Sequence, residues 1–166
     1  FFCGLRTSET LALLTSDFDF TRKTVSITKN YLRRNGEDIV STPKTESSNR
    51  ILGMPDIVAE ELKKYINSLY GIGPNERIFT VSRYTLRRVL RIAGKAAGIE
   101  TEVSPHSLRH SMATLLMENG YSLTDVGKRL GHAWYGSTLR YVHTYNSAQD
   151  KMVETLNELS KDIKKP

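Results

Sequence analysis

Residues 104–145 contain four side chains whose chemical types suit a reaction at a phosphate group. His106 and Arg109 are three positions apart, and Tyr141 lies nine positions beyond His132. An imidazole exchanges protons near neutral pH, a guanidinium binds phosphate oxygens through parallel hydrogen bonds, and a phenol can act as a nucleophile. This set of side chains therefore favours a reaction in which a tyrosine attacks a phosphate group.

The sequence around the first pair predicts a helix. Ser104 followed by Pro105 is typical of a helix N-cap with proline at the first helical position, where the missing N–H costs nothing. His106 and Arg109 would then share one face of the first turns, next to the positive end of the helix. Gly120 is expected to end this helix. Its buried face is predicted to contain Leu108, Leu115 and Leu116.

A second helix is predicted to begin after Ser122, with Asp125 completing a short capping box, and to end at Gly131. Its buried face is predicted to contain Leu123, Val126 and Leu130. His132 would therefore lie just past a helix end, on a loop that can face a ligand.

Three motifs in this stretch occur in a characteristic order. H-S-L-R is followed by L-G-H and then by Y-V-H, and this order with these gaps resembles the carboxy-terminal signature of the tyrosine recombinases, the phage-integrase family of site-specific DNA recombinases. A lone H-x-x-R occurs by chance on many helices, whereas the ordered set is specific. The resemblance extends over residues 4–150. It implies the α+β catalytic fold of that family, which is mainly α-helical with a small three-stranded antiparallel sheet at one edge.

The resemblance also implies an activity. Such enzymes cut and rejoin double-stranded DNA through a 3′-phosphotyrosyl intermediate, without a metal ion, ATP or another cofactor, and Tyr141 would be the nucleophile. Arg6, in the pattern G-x-R-x-x-E, and Arg109 would bind the phosphate oxygens, and Glu9 would brace Arg6. His106 would accept the proton of the phenol. The residues alone are also consistent with a surface ion pair between Arg6 and Glu9 of little energy.

The family carries a further lysine on a β-turn, which points to Lys44 in P-K-T-E-S-S-N-R. Lys44 would protonate the departing 5′ hydroxyl, and His132 would donate to a phosphate oxygen or orient its neighbours. A lysine on a hairpin is usually only solvated, and Lys23 and Lys29 remain alternatives for this role.

Other side chains compete with these candidates. Tyr135 and Tyr145 are also phenols near the motifs, but only Tyr141 has the Y-x-H context, so the other two are interpreted as packing or surface residues. His110 and His143 are interpreted as structural, with His143 close enough in sequence to help position Tyr141.

The first third of the chain predicts β-structure. Asn35-Gly36 is a strong hairpin signal between segments that alternate polar with apolar residues or are rich in β-branched ones. The predicted strands are residues 17–20, 24–28, 39–42 and 50–54, which we expect to form one small antiparallel sheet. An amphipathic helix is predicted to follow over residues 55–70.

Helical sequence resumes after Ser82 and carries a row of cations four residues apart. The members of this basic row are Arg83, Arg87, Arg91 and Lys95. Such neighbours repel each other by about a few tenths of a kcal/mol unless a negative group lies alongside. The row therefore favours contacts with the phosphates of DNA, which position a protein without reading the base sequence. A solvated helix face is the alternative.

The composition is consistent with a polyanionic partner. The chain of 166 residues has 24 Lys and Arg against 18 Asp and Glu, which gives a formal charge of +6 and a pI of about 9.5.

A single cysteine, Cys3, excludes an internal disulfide and a cysteine-rich zinc site. Asp17 and Asp19 have no third acidic partner in a comparable context, so metal-dependent cleavage is not expected. The single cysteine favours a reducing cytosol, and no apolar run reaches the roughly 18 residues of a membrane span. Together with the resemblance, this leads us to expect a protein of the bacterial cytosol that associates with the nucleoid when bound.

The two ends of the chain carry further expectations. The apolar start F-F-C-G-L-R indicates a fragment, so we expect residues 1–166 to form a single catalytic domain without the amino-terminal core-binding domain of the family. Residues 146–166 are predicted to form a tail helix whose seam contains Met152, Leu156, Leu159 and Ile163. This helix could fold back on its own domain or dock onto a neighbour, and the resemblance favours docking onto the next protomer of a tetramer on DNA.

Three functions are consistent with the sequence. The first is a site-specific integrase of a phage or another mobile element, acting on attachment sites in double-stranded DNA. The second is a type IB-like topoisomerase, which shares the arginine, lysine and tyrosine chemistry. The third is a DNA-binding module without catalysis, for which an intact Tyr141 would have no purpose.

Overall fold

A computed structural model describes residues 1–42, 48–131 and 142–163, apart from the side chains of residues 142–148, 150, 162 and 163. Over these ranges, the helices are α1 (Thr7–Thr10), α2 (Asp56–Ser68), α3 (Arg83–Ala96), α4 (Pro105–Glu118), α5 (Leu123–Leu130) and α6 (Val142–Ile163). The strands are β1 (Phe18–Asp19), β2 (Thr24–Ile27), β3 (Asn30–Arg34), β4 (Glu37–Ser41) and β5 (Arg50–Gly53). The predicted α+β class, mainly helical with a small antiparallel sheet, is confirmed.

The small sheet has three antiparallel strands in the order β1-β2-β5. Val25 and Ile27 alternate with half-buried residues along β2, as expected of a strand with one face on the core. This face packs against α2 and the chain around residues 11–14. The buried members of this core are Leu13, Val25, Ile27, Leu52, Met54, Ala59 and Ile78.

A separate two-stranded hairpin is formed by β3 and β4. The predicted turn is confirmed, since Asn35 and Gly36 have φ of 53° and 83° and connect the paired residues Arg34 and Glu37. The expectation that residues 39–42 and 50–54 belong to one sheet is wrong. A two-residue turn folds β4 directly back on β3, and β5 pairs with β2 instead.

The second core lies among the carboxy-terminal helices α4, α5 and α6. Its buried members are Met112, Ala113, Leu116, Val126, Leu130, Met152 and Leu156. The inward face of α4 contains Arg109, Met112, Ala113 and Leu116, so of the predicted apolar stripe only Leu116 is fully buried. On the predicted buried face of α5, Val126 and Leu130 are buried as expected, whereas Leu123 at the start of that helix is 63% exposed.

Part of the apolar seam of the tail helix packs within its own domain. Met152 and Leu156 are fully buried against α4 and α5, as the first of the two alternatives for this helix expects, and docking of the tail on a neighbouring protomer stays a prediction. The spacing of four residues does mark one helix face, but such a pattern does not say which surface covers it. None of the helices in the described ranges is both long and apolar enough to cross a membrane.

Candidate active site

The first predicted arginine lies at the start of α1. Arg6 is the N-cap residue, and Glu9 at the third helical position receives its backbone N–H at 2.8 Å and its Nη1 at 2.7 Å. Gly4 precedes them with φ of 59°, and a Cβ there would collide with Met112 and Leu130. Only glycine at position 4 therefore lets the segment before α1 pack directly against helices α4 and α5.

The second predicted arginine lies on α4 and is buried. Ser104 caps this helix by accepting the backbone N–H of Ser107 at 3.1 Å, as the sequence predicts. One turn further, Arg109 is 8% exposed and donates Nη1 to the carbonyl of Gly4 at 2.6 Å. This bond joins α4 to the segment that carries Arg6.

The carboxy-terminal end of α5 accepts one hydrogen bond from each of three arginines. A helix leaves its last carbonyls without intrahelical partners, and the helix dipole makes this end negative. The three bonds run from Arg50 Nε to Arg129 O at 2.8 Å, from Arg109 Nη2 to Leu130 O at 2.6 Å, and from Arg6 Nη2 to Gly131 O at 2.7 Å. Arg6 and Arg109, the two predicted phosphate ligands, are therefore both hydrogen-bonded to the residues that directly precede His132 in the sequence.

The role of Arg50 is not apparent from the sequence motifs. Its side chain is buried and forms a two-pronged ion pair with Glu9, with Nη1 to Oε1 at 3.1 Å and Nη2 to Oε2 at 2.9 Å. It also donates to the carbonyl of Ser48 at 3.1 Å, next to the segment that carries Lys44. The signal was available, because the alternation of β5 places Arg50 on the same buried face as Leu52.

Arg129 is a second buried arginine that the sequence patterns did not single out. It donates Nη1 to Gln149 Oε1 at 2.6 Å and Nη2 to the carbonyl of Gly53 at 3.0 Å. It therefore joins α5 to α6 and to the end of β5, and it holds together the elements on which the site is built.

Burial and neighbouring charges shift the pKa values of Glu9 and Arg109. Burial raises the pKa of Glu9, but the hydrogen bonds and charge of Arg50, together with the bonds from Arg6, outweigh this and lower its pKa overall. Burial and the positive charge of Arg6 lower the pKa of Arg109 to about 10. Both groups therefore remain charged near neutral pH.

A cavity of about 300 Å³ opens where these elements meet. Its lining residues are Leu5, Arg6, Thr7, Pro105, His106 and Arg109. A guanidinium has five N–H donors, and Arg6 uses two of its nitrogens on Glu9 and Gly131, so further donors remain for an anion. The cavity thus gathers two fixed positive charges and an imidazole, which is an arrangement able to bind and polarise a phosphate group.

Three of the six predicted catalytic residues, Arg6, His106 and Arg109, meet at this cavity. Lys44, His132 and Tyr141 lie outside the described residues, as does Tyr135. The two lysines that competed with Lys44 are paired elsewhere. Lys23 Nζ contacts Asp56 at 2.7 Å, and Lys29 Nζ contacts Asp17 at 2.6 Å.

The two aspartates considered for a metal site are satisfied locally. Asp17 accepts Lys29 and the backbone N–H of Leu14, and Asp19 accepts the N–H groups of Thr21 and Arg22. Among the described residues, no group of three His, Cys, Asp or Glu side chains could hold a metal ion.

The predicted basic row lies on the exposed side of α3. Ser82 caps the helix, and Leu86, Leu90 and Gly94 face the protein. Arg83 donates to the carbonyl of Tyr31 at 3.1 Å. Within the described ranges no ion pair involves the other members of the row, which are Arg87, Arg91 and Lys95.

Comparison with known sequences gives a consistent group of relatives. The model of the phage integrase family matches residues 1–148. A tyrosine recombinase of Pseudothermotoga lettingae is 30% identical over 163 residues, which cover 96% of this chain and 51% of the relative. Tyrosine recombinase XerC of Corynebacterium glutamicum is 31% identical over 155 residues, covering 93% of this chain and 46% of the relative. The chain therefore spans about half the length of these curated relatives.

Solved structures share the fold. The crystal structure of XerA recombinase superposes with a TM-score of 0.62 at 28% identity, covering 92% of this chain and 53% of that one. The Tn1549 transposon integrase, solved in complex with transposon right end DNA, gives a TM-score of 0.68 at 24% identity, covering 92% of this chain and 55% of the other.

Proposed function

Since the chain belongs to the phage integrase family of tyrosine recombinases, we propose that it is the catalytic domain of a site-specific recombinase that cuts and rejoins double-stranded DNA. The observation that carries this proposal is the cavity that brings Arg6, His106 and Arg109 together. Glu9 supports this arrangement by accepting a hydrogen bond from Arg6, and Arg50 in turn fixes the carboxylate of Glu9.

In the proposed first step, Arg6 and Arg109 bind the non-bridging oxygens of the scissile phosphate. Tyr141 attacks the phosphorus, and His106 accepts the phenolic proton as the bond forms. The bond from phosphorus to the 5′ oxygen breaks, and Lys44 supplies the proton that makes the leaving group a 5′ hydroxyl. The products are a 3′-phosphotyrosyl link and a free 5′ end, and His132 donates a hydrogen bond to a phosphate oxygen.

The two arginines are suited to this task because their positions are set before DNA binds. Arg109 has both terminal nitrogens on backbone carbonyls, and Arg6 is held by Glu9 and Gly131. Groups fixed in advance stabilise developing charge without reorganising. Removing one such donor is expected to lower the cleavage rate about a hundredfold or more.

Rejoining reverses the first step. The 5′ hydroxyl of another strand attacks the phosphotyrosyl phosphorus, and the phenolic oxygen of Tyr141 leaves and regains a proton. One phosphate ester replaces another in each step, so no ATP is required, and Arg6 and Arg109 would supply the positive charge that a metal ion provides in other nucleases.

The exposed face of α3 is proposed to lie along the DNA backbone. Arg87, Arg91 and Lys95 are exposed on a helix whose inward side carries Leu86, Leu90 and Gly94. Cations in this position would neutralise phosphates and release counterions, which makes binding dependent on salt.

The biological reaction is proposed to be integration or excision of a phage or another mobile element, carried out at the cellular DNA by a tetramer on paired sites. Residues 146–166 would contribute to this assembly through the outer face of α6, because Met152 and Leu156 on the inner face are buried. The exposed residues of that face are Lys151, Glu154, Glu158 and Lys161. Reversing their charges tests the tail without removing Met152 and Leu156 from the core, which a truncation would do.

Incubation with a nicked half-site oligonucleotide tests the chemistry. Loss of the short 5′ fragment traps the covalent adduct, which denaturing electrophoresis separates from free DNA. We expect an adduct that forms in EDTA and disappears in Tyr141→Phe, with Tyr145→Phe as the matched control that retains it. An adduct undiminished by Tyr141→Phe would refute the assignment of the nucleophile. Relaxation of supercoiled DNA without strand exchange would favour the topoisomerase, and DNA binding without any adduct would favour the silent module.

A further inference from the structure

Two histidines on α4 contact each other at the mouth of the cavity. His106 Nε2 and His110 Nε2 are 2.9 Å apart, and the two rings meet edge to face with their centroids separated by 4.3 Å. The residues are one helical turn apart, and both side chains are exposed. Only His106 belongs to the lining of the cavity.

The distance between the two nitrogens requires a division of roles. Nitrogens at hydrogen-bond distance share one proton, so one imidazole donates and the other accepts. Because this bond occupies Nε2 of His106, its Nδ1 is the ring nitrogen left to exchange a proton in the cavity. A base whose second nitrogen is held by a third group is the arrangement that activates nucleophiles in many enzymes.

We propose that His110 is a positioning residue for His106, a role that rests on the proposed function. His106 Nε2–H donates to His110 Nε2, whose own proton lies on Nδ1, so that His106 Nδ1 has a free lone pair. When Tyr141 attacks, its proton moves to that lone pair, and the bond between the rings persists as His106 becomes positively charged. His110 thus fixes both the orientation and the tautomer of the base.

The surrounding helix supports this role because its backbone is fixed. Ser104 and Ser107 cap the start of α4, and buried Arg109 joins the next turn to Gly4 and Leu130. The freedom left to His106 is rotation of its own side chain, which the contact with His110 removes.

The test compares His110→Leu, which removes the bond, with His110→Gln, which keeps a group able to accept it. Ser111→Ala is the matched control, since Ser111 is an exposed neighbour on the same helix. Single-turnover cleavage of the nicked half-site gives the rate, and a gel-shift titration gives the affinity for the same DNA. Long-range ¹H–¹⁵N correlation spectra of the protein without DNA identify the protonated nitrogen of His106.

We expect His110→Leu to cleave about fivefold to tenfold more slowly at unchanged DNA affinity, as loss of one hydrogen bond implies. Its His106 should change from the Nε2–H tautomer to a mixture, and His110→Gln should restore part of both signals. An unchanged cleavage rate or an unchanged tautomer in His110→Leu overturns the positioning role alone. Absence of an adduct from the wild-type chain overturns the proposed function, and the positioning role with it.

Discussion

Replacement of Arg50 by methionine should destabilise the domain far more than replacement of a surface arginine. The side chains of Arg50 and Glu9 are each 2% exposed, and they share two hydrogen bonds. Methionine fills a similar volume but leaves a buried carboxylate with two weaker partners, Arg6, which is 37% exposed, and Arg109, whose Nη1 is 3.9 Å from Glu9 Oε2. Breaking one side of a buried ion pair costs about 3–5 kcal/mol. A domain of this size has a total stability of about 5–15 kcal/mol, so the loss should be large but measurable.

Urea denaturation followed by circular dichroism measures this loss. Arg22→Met is the matched control, because Arg22 is 83% exposed and lies 3.8 Å from Asp19, and it should change the free energy of unfolding by less than about 0.5 kcal/mol. Should Arg50→Met fail to fold, Arg50→Lys, which keeps the charge but not the two-pronged geometry, gives an intermediate measurement.

A double-mutant cycle then separates the ion pair from simple packing. Glu9→Gln combined with Arg50→Met removes both charges, so the double variant should be at least about 2 kcal/mol more stable than the sum of the two single losses implies. Additive losses, or a loss below about 1 kcal/mol for Arg50→Met alone, would refute the reasoning that Arg50 is what makes burial of Glu9 tolerable.

Three further predictions follow from the described contacts. The lowered pKa of Glu9 adds stability that is present above its ordinary value of 4.5 and is lost as the pH falls through the lower folded value, so the free energy of unfolding should fall with acidification below about pH 4.5, and less steeply in Glu9→Gln. The double variant Arg87→Ala with Arg91→Ala should have a shallower dependence of the DNA association constant on salt. The magnitude of the slope of its logarithm against the logarithm of the salt concentration should fall by about 1.8, at about 0.9 per lost phosphate contact. Gly4→Ala should cost more than Gly120→Ala, because both have positive φ but only the first would meet other side chains, and thermal unfolding measures both.

Each of these predictions has an outcome that contradicts it. An equal acid slope in wild type and Glu9→Gln would mean that other carboxylates dominate acid unfolding. A salt slope changed as much by Lys63→Ala with Lys64→Ala, on exposed positions of α2, would mean that α3 is not the contact surface. Equal losses for the two glycines would mean that Met112 and Leu130 move aside without cost.

Local signals in the sequence predict much of this structure. Ser82, Ser104 and Ser122 each cap the helix that they were expected to begin, and Gly131 ends α5 in the left-handed conformation with φ of 66°. Asn35-Gly36 forms the predicted turn. These features depend on residues within one helical turn or one hairpin, so the pattern that predicts them is contained in a short stretch of sequence.

Features that depend on distant contacts could not be predicted in the same way. Arg50 meets Glu9 across 41 residues of sequence, and Arg6 meets Gly131 across 125. The seam of α6 was recognisable as apolar, but whether Met152 packs in its own domain or on a partner depends on where α4 and α5 lie. A periodic pattern predicts a face and leaves its partner open.

The three arginine bonds to the end of α5 connect the chemistry of the cavity to the chain that follows it. Arg6 and Arg109 each donate one terminal nitrogen to a carbonyl at the carboxy-terminal end of α5, so turning either guanidinium away would break a hydrogen bond to that end. The same bonds hold Leu130 and Gly131, which lead into His132. The two proposed phosphate ligands and residues 130 and 131, which precede His132 in the sequence, are therefore positioned by one set of contacts. A substitution that disturbs either arginine should for this reason impair both phosphate binding and the placement of these two residues, and its effect on cleavage should exceed the loss of a single charge.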